Sequence, residues 1–231
     1  MKTIGLLGGM SWQSSIEYER VINQEVRRRL GGTHSADLII RSYDFAYIEK
    51  LQATGQWSAA GQILARDARI LQQAGAGCVL LCTNTMHRVA DDIERALAVP
   101  FLHVADTTAG AIKAKGLHSV ALLGTRYTME EDFYRGRLTR RHNLEVLVPR
   151  KDDRQTVHDV IFDELVCGQL NPASRIAYRD IVQGLVDQGA EGVIAGCTEI
   201  ELLLKPDDVP VPFFPTARLH ALAAVDFALN E

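Results

Sequence analysis

The chain has 231 residues, 47% of them hydrophobic and 23% charged, and a formal net charge of −4. That length can bury a sizeable core, as one large α/β domain or as two lobes of about a hundred residues each. The slightly acidic balance offers no basic field to nucleic acid, and no apolar stretch reaches the roughly 18–20 residues that a membrane span requires. Four cysteines without a CxxC pair, and a start that runs from Met1 straight into Ile4-Gly-Leu-Leu-Gly8, fit a cytoplasmic protein with reduced thiols and no signal core.

Ile4-Gly-Leu-Leu-Gly8 is a short apolar run stopped by glycine, the pattern of a buried parallel strand that ends in a tight turn. Helical stretches are predicted over residues 14–30 and 59–74. The segment from Leu71 to Thr85 then reads as a helix end, a Gly-Ala turn and a strand that stops just before Thr83. A helix over 89–98, a strand in Val99-Pro-Phe-Leu-His103 and an Ala-rich helical segment over 109–114 follow. At Val120-Ala-Leu-Leu-Gly124 the series begins again, with helices over 130–142 and 173–188. The segment from Leu185 to Glu199 repeats the helix end, turn and strand, Val211-Pro-Phe-Phe-Pro215 repeats the next strand, and 217–228 is a second Ala-rich helix.

The matched segments recur in the same order: Ile4 and Val120 are 116 apart, Thr83 and Cys197 114 apart, Val99 and Val211 112 apart. Generic strand–helix sequence produces single matches of this kind, but three in register indicate a duplicated fold. The expectation is an α/β protein of two pseudo-symmetric lobes, each a mostly parallel sheet flanked by helices. The first lobe would take residues 1–98 plus 216–231 and the second 99–215. Ligands of parallel sheets bind beyond the carboxyl ends of the strands, which places the expected active site in a cleft between the lobes.

Thr83 and Cys197 then occupy equivalent positions, each just past a buried strand. Groups that approach a bound molecule from opposite sides suit inversion at a carbon, because the base that removes a proton and the acid that returns one must lie on opposite faces of a planar intermediate. A thiol suits that task, with an ordinary pKa of ~8.5 that nearby donors and helix N-termini can lower.

Four motifs carry a resemblance: Gly8-Gly-Met-Ser-Trp12, Thr83-Asn-Thr-Met-His87, Gly124-Thr-Arg-Tyr-Thr128 and Gly196-Cys-Thr-Glu199. In this order, and across essentially the whole chain, the sequence resembles the aspartate/glutamate racemase family. The resemblance implies pyridoxal-phosphate-independent racemisation of an amino acid by two acid/base residues, no cofactor, and a homodimer. It also departs from the family, which usually has cysteine at both catalytic positions, whereas Thr83 precedes Asn84 here. Cys82 lies one residue earlier, and strand alternation turns it into the core. Cys78 and Cys167 are expected to be buried as small hydrophobes. A hydroxyl is a far poorer base than a thiolate, so the two half-reactions should differ in rate. Cys197 would remove the α-proton from one enantiomer and Thr83 would serve the other face, with preference for an L-acidic substrate, aspartate or glutamate.

Around this pair, Asn84, Thr85 and Thr198 sit where strands give way to helices and can hold the substrate α-carboxylate; the same residues also fit as N-caps. Met10 and Ser11, after the Gly8-Gly9 turn, are placed to line the pocket, with Thr125 and Tyr127 in the matching loop of the second half. The Gly8-Gly9 loop has no nucleotide-binding glycine pattern. Gln52 resembles a side-chain-reading position of relatives, although glutamine on a surface helix is usually solvated. Glu199 fits as a partner of the substrate ammonium, as a tuner of Cys197 or as a first-turn helix residue. His87 is spaced to steady the site or to serve a structural role. Arg41, Arg126 and Lys205 are candidate carboxylate partners that also fit as surface charges. No His/Cys/carboxylate cluster has metal-ligand spacing. Two competing functions fit the same scaffold: a decarboxylase or isomerase that uses Cys197 alone, and a non-catalytic amino-acid-binding protein.

Overall fold

A computed structural model describes residues 1–230 and divides the chain into two compact units, Met1–Val104 with the segment from Ala217 onward, and Ala105–Thr216. The first unit runs through β1 (Ile4–Gly8), α1 (Trp12–Leu30), β2 (Leu38–Ser42), α2 (Phe45–Ala53), α3 (Trp57–Gln73) and β3 (Cys78–Leu81). A 3-10 turn over Thr85–Val89, α4 (Ala90–Ala96) and β4 (Phe101–Leu102) complete it. From α5 (Val104–Ala114) the chain continues through β5 (Ser119–Gly124), α6 (Arg126–Glu130), α7 (Asp132–His142), β6 (Glu145–Leu147) and α8 (Lys151–Asp159), which a π-helical segment, Val160–Leu165, extends. Then come α9 (Pro172–Val186), β7 (Val193–Gly196), α10 (Ile200–Leu203), a 3-10 turn over Pro206–Asp208 and β8 (Phe213–Pro215), before α11 (Thr216–Leu229).

Both sheets are four-stranded and wholly parallel, with order β2-β1-β3-β4 in the first unit and β6-β5-β7-β8 in the second. Strand for strand the topology repeats, with β1 matching β5 and β3 matching β7. The first sheet keeps Phe101 opposite Val79, so β4 belongs to it and the chain leaves the first unit after Val104, later than the 98/99 boundary expected.

Alternation along the strands divides the first core. Ile4, Leu6, Cys78 and Leu80 pack with Tyr18, Ile22 and Val26 of α1 and with Ala221, Ala224 and Val225 of α11. Leu7, Val79 and Leu81 face the other way, toward Ile48, Leu64, Ala68 and Ile93. In the second unit Ala121, Leu123, Val193 and Ala195 pack against Val157, Ile161, Leu165, Tyr178 and Val182. Strands buried on both faces have no room for polar side chains along their length, which is why they read as continuous apolar runs. Among the described residues no helix is long and apolar enough to cross a membrane.

Local chemistry sets the helix ends. Ser11 caps α1, its hydroxyl accepting from the Ser14 N–H at 3.3 Å. Asp44 caps α2, and Asn171 followed by Pro172 starts α9. The helix expected over 130–142 is broken: Glu131 is extended (φ −87°, ψ 155°), which ends α6 and lets α7 restart with Asp132 in its first turn, where the helix dipole favours a carboxylate. Glutamate is a good helix former, so the sequence carries no mark of that break.

Gly9 is the backbone position with least freedom. Its φ is +84°, and a Cβ there would run into the backbone nitrogen and oxygen of Tyr43. Gly55 also has positive φ (+69°) but nothing within 4 Å of the added carbon. Gly55→Ala should therefore cost only the conformational term, about 1–2 kcal/mol. Gly9→Ala should add an overpacking cost of about 1–3 kcal/mol. Urea unfolding of the two variants checks this, and equal losses would remove the close-approach explanation.

Candidate active site

In the first unit the polar groups gather at the carboxyl ends of β1 and β3, which are paired neighbours. Beyond β3, Cys82 is fully buried in the α1/α11 core, and burial pushes its thiol pKa well up, as the strand alternation predicts. Thr83 is half-buried. Its N–H donates to the Leu81 carbonyl at 2.9 Å and its own carbonyl accepts from His87 Nδ1 at 2.7 Å. Asn84, which precedes the 3-10 turn as its cap, and Thr85 and His87 within the turn are all buried. Gln52 is buried rather than solvated, its amide donating to Met86 Sδ at 3.0 Å, which places it beside the same turn. Met10 is packed in the core with Leu7 and Tyr43, and Ser11 is the α1 cap.

The second unit repeats this arrangement with different chemistry. Gly124 of β5 and Gly196 of β7 are register partners. A Cβ on Gly196 would lie 2.7 Å from the Leu123 carbonyl and one on Gly124 3.0 Å from the Gly196 carbonyl, so both positions need glycine for the strands to close up before Cys197. Thr125 caps α6, accepting from the Thr128 N–H at 3.4 Å, as Ser11 caps α1. Tyr127, the second residue of α6, lies edge-on to His158. His158 Nδ1 accepts the Arg126 N–H at 3.3 Å, and its pKa is lowered by burial first and by Arg126 second.

The central contact is Cys197 Sγ donating to Glu199 Oε2 at 2.9 Å. Glu199 and Thr198 are buried, and Cys197 is partly so. The thiol pKa is held well above its ordinary value, first by burial, then by the charge and hydrogen bond of Glu199, then by Glu201. This corrects the expectation of a thiol lowered toward neutrality: the nearest polar group is an acceptor with negative charge, and the resting side chain is a protonated thiol. Glu199 contacts Cys197 and also stands at the start of α10, as its N-cap, so the geometry displays two of its three expectations.

Other candidates lie apart from these groups or are already paired. Arg41 donates to the buried Asp67 carboxylate at 3.1 Å and stacks on Tyr43. Burial alone would raise the Asp67 pKa, but hydrogen bonds from Arg66, Tyr43 and Arg41 outweigh it and lower the value. Lys205 donates to the Glu201 carbonyl at 2.6 Å, and Arg126 is exposed beside Tyr127. Cys78 is buried, its thiol pushed up to about 12. Cys167, by contrast, is exposed in the turn after the π-helical segment, so its expected burial is corrected: the chain is leaving the core there. Among the described residues no three of His, Cys, Asp and Glu converge as a metal site.

Sequence reasoning missed two features. Tyr178 is fully buried with its hydroxyl on the Val157 carbonyl at 2.8 Å. Its pKa is raised by burial first and next by Cys197, which packs against the same core cluster. The apolar periodicity of α9 disguises it as an ordinary core residue. The π-helical segment contributes Ile161 and Leu165 to the cluster around Cys197, and insertions of this kind occur often at functional sites without a readable sequence mark.

Comparison with known proteins places this arrangement. The profile of the Asp/Glu/Hydantoin racemase family matches residues 7–224. A Yersinia pestis protein solved as a candidate Asp/Glu racemase is 53% identical, covers both chains completely and superposes with a TM-score of 0.95. An aspartate racemase homologue from Pyrococcus horikoshii OT3 is 35% identical over all of both chains, with a TM-score of 0.87. The broad-specificity amino-acid racemase RacX of Bacillus subtilis (strain 168) is 25% identical over 158 residues, 67% of this chain, and the chain spans 66% of that relative's length. The duplicated sheets, the paired strand-end motifs and a match over nearly the whole sequence lead to one assignment: the chain belongs to the Asp/Glu/Hydantoin racemase family.

Proposed function

We propose that this protein racemises an acidic or otherwise polar amino acid without a cofactor, with Cys197 and Thr83 serving opposite faces of the same α-carbon. The observation that carries the proposal is the Cys197 thiol hydrogen-bonded to Glu199 at the end of a buried strand, in a chain whose topological counterpart of Cys197 is Thr83. A resting thiol must lose its proton before it can act as a base. Glu199 Oε2 already accepts that proton's hydrogen bond, so transfer gives a carboxylic acid and a thiolate. The thiolate then takes the Cα proton, which regenerates the thiol and leaves a planar carbanion. Proton delivery from the Thr83 side completes inversion, and solvent closes the cycle by resupplying the Thr83 hydroxyl and taking the proton held by Glu199.

Asn84, Thr85 and Thr198, with the backbone N–H groups of the turns they start, are the groups we assign to the substrate carboxylate. Gln52 beside Met86 and the Thr125–Tyr127 loop are assigned to its side chain. Aspartate or glutamate as substrate is supported by the likeness to the aspartate racemase homologue, and amino-acid racemisation more broadly by the likeness to RacX. The exposed Trp12, Ile16 and Tyr47 supply apolar surface for the homodimer that the resemblance implies, and free cysteines suit the reducing cytoplasm.

The two unlike groups make the half-reactions unequal, in favour of the L enantiomer, while the equilibrium between free enantiomers stays fixed by symmetry. Cys197→Ser should lower racemisation in both directions by about 10²-fold or more. Thr83→Cys should narrow the rate gap between enantiomers. Polarimetry on L- and D-aspartate and glutamate measures both; a serine variant as active as wild type would end the assignment, and carbon-dioxide release from substituted malonates would point to a decarboxylase.

Glu199→Gln separates reactivity from catalysis. Because the carboxylate raises the thiol pKa, its removal should lower that pKa and increase the thiolate fraction at a given pH. Alkylation of Cys197, followed by peptide mass mapping to exclude Cys167, should therefore become faster near pH 8, while racemisation falls about 10²-fold for loss of the proton acceptor. In the wild type, alkylation should go on rising with pH beyond the ordinary thiol range near ~8.5. Slower alkylation in Glu199→Gln would contradict this role.

A further inference from the structure

One buried imidazole near Thr83 has no part in the reaction described so far. His87 is 2% exposed and lies in a small aromatic cluster, its ring 4.5 Å from His103, 5.6 Å from Phe101 and 5.9 Å from His220 between centroids. Its Nδ1 is 2.7 Å from the Thr83 carbonyl, which can only accept, and its Nε2 accepts the Val104 N–H at 3.2 Å. These two partners define a neutral ring with the proton on Nδ1. Both ring nitrogens are engaged with backbone, which suits a tether better than a proton shuttle.

The local winding explains why a side chain is needed there. In an α-helix the His87 N–H would bond the carbonyl four residues back, that of Thr83. The 3-10 winding sends it instead to Asn84 O at 3.0 Å. The imidazole of the same residue takes the Thr83 carbonyl in its place and reaches on to Val104, at the start of α5, whose first N–H groups lack an intrahelical acceptor. With its N–H on Leu81 and its carbonyl on His87, Thr83 has both flanking peptide groups fixed, and so the direction of its Cα–Cβ bond.

The second unit does not use this device. The Cys197 carbonyl accepts the Ile200 N–H at 3.1 Å, backbone to backbone. The residue 114 positions after His87, the spacing of Thr83 and Cys197, is Glu201. The side-chain tether therefore accompanies the hydroxyl and not the thiol. A hydroxyl gains little from a shifted pKa and depends on aim, and a misplacement of about 1 Å can cost 10²-fold in rate.

We propose that His87 is the positioning residue of the Thr83 half-reaction, holding the Thr83 backbone between β3 and the start of α5 so that the hydroxyl points in one direction. The inference rests on the racemase reading above. It predicts an effect that a purely structural residue would not have, because Cys197 can remove and return a proton on its own face without Thr83. Exchange with retention should survive loss of the tether, and inversion should not.

The test uses the full-length protein and L-aspartate and L-glutamate in deuterated water, reading deuterium gain with retention and with inversion separately. The Asn amide nitrogen stands close to the position of Nδ1, whereas the Gln side chain ends near Nε2. His87→Gln should lower inversion about 10²-fold relative to exchange with retention; His87→Ala should do the same. His87→Asn, which restores a donor to the Thr83 carbonyl, should recover much of the inversion. Equal falls in both rates, or His87→Gln inverting as well as His87→Asn, would overturn the proposal. If the variants fail to fold by circular dichroism, imidazole 15N shifts of the wild type decide: protonated Nδ1 with bare Nε2 supports the tether, and the opposite tautomer or a charged ring overturns it. A wild type that exchanges no deuterium with either substrate fails the racemase reading itself, a result distinct from a wild type that exchanges while all variants keep its ratio.

Discussion

A parallel strand covered by helices on both faces can hold only apolar side chains along its length, because an unpaired polar group buried there would cost several kcal/mol. Polar chemistry is displaced to the strand's carboxyl end, where the chain turns into a helix and backbone N–H groups stand open. β3 and β7 obey this constraint closely: Cys78–Leu81 and Val193–Gly196 are buried throughout, and past them, beyond the core-facing Cys82 in the first unit, come the Thr83 hydroxyl and the Cys197 thiol. The equivalence of these two residues follows from the strand order, which is the same in both units. Everything proposed about the reaction uses that equivalence.

The two strand ends are alike in position and unlike in chemistry. At Cys197 the structure supplies a carboxylate acceptor, 2.9 Å from sulfur, and a thiol pKa raised by burial and by that charge. At Thr83 it supplies geometry, with both flanking peptides hydrogen-bonded and a buried imidazole on the carbonyl. A thiol can be converted to a strong base by moving one proton to a neighbour. A hydroxyl at neutral pH cannot, so what the protein can control is where it points. Under the proposed reaction, this division assigns the difference between the two half-reactions to the site itself.

Much of this was legible from residue order. The glycine-stopped apolar runs marked β1 and β5, and the repeated Gly-Ala turns placed β3 and β7 and the residues that follow them. Alternation correctly put Cys82 in the core. Less visible were features that depend on what surrounds a residue. Glu131 breaks a helix although its propensity favours one, and the π-helical segment lengthens α8 without any compositional mark. Cys167 is exposed because the chain leaves the core there, which its hydrophobic neighbours conceal. Gln52 is buried against Met86, a contact 34 positions away in sequence. The direction of the Cys197 pKa was the most consequential misreading. A strand end before a helix suggests donors that stabilise a thiolate, but the side chain two residues on turns back as an acceptor, and only the fold reveals that direction.

The most direct test of the account follows the α-proton itself. The unmodified protein, with no added cofactor, is incubated in deuterated water with each enantiomer of aspartate and glutamate, and the initial rate of deuterium entry at Cα is measured by mass. The account predicts exchange from both enantiomers of at least one substrate, at clearly different rates, faster from the L form. Tight binding without exchange, or the same initial rate from L and D, would contradict it.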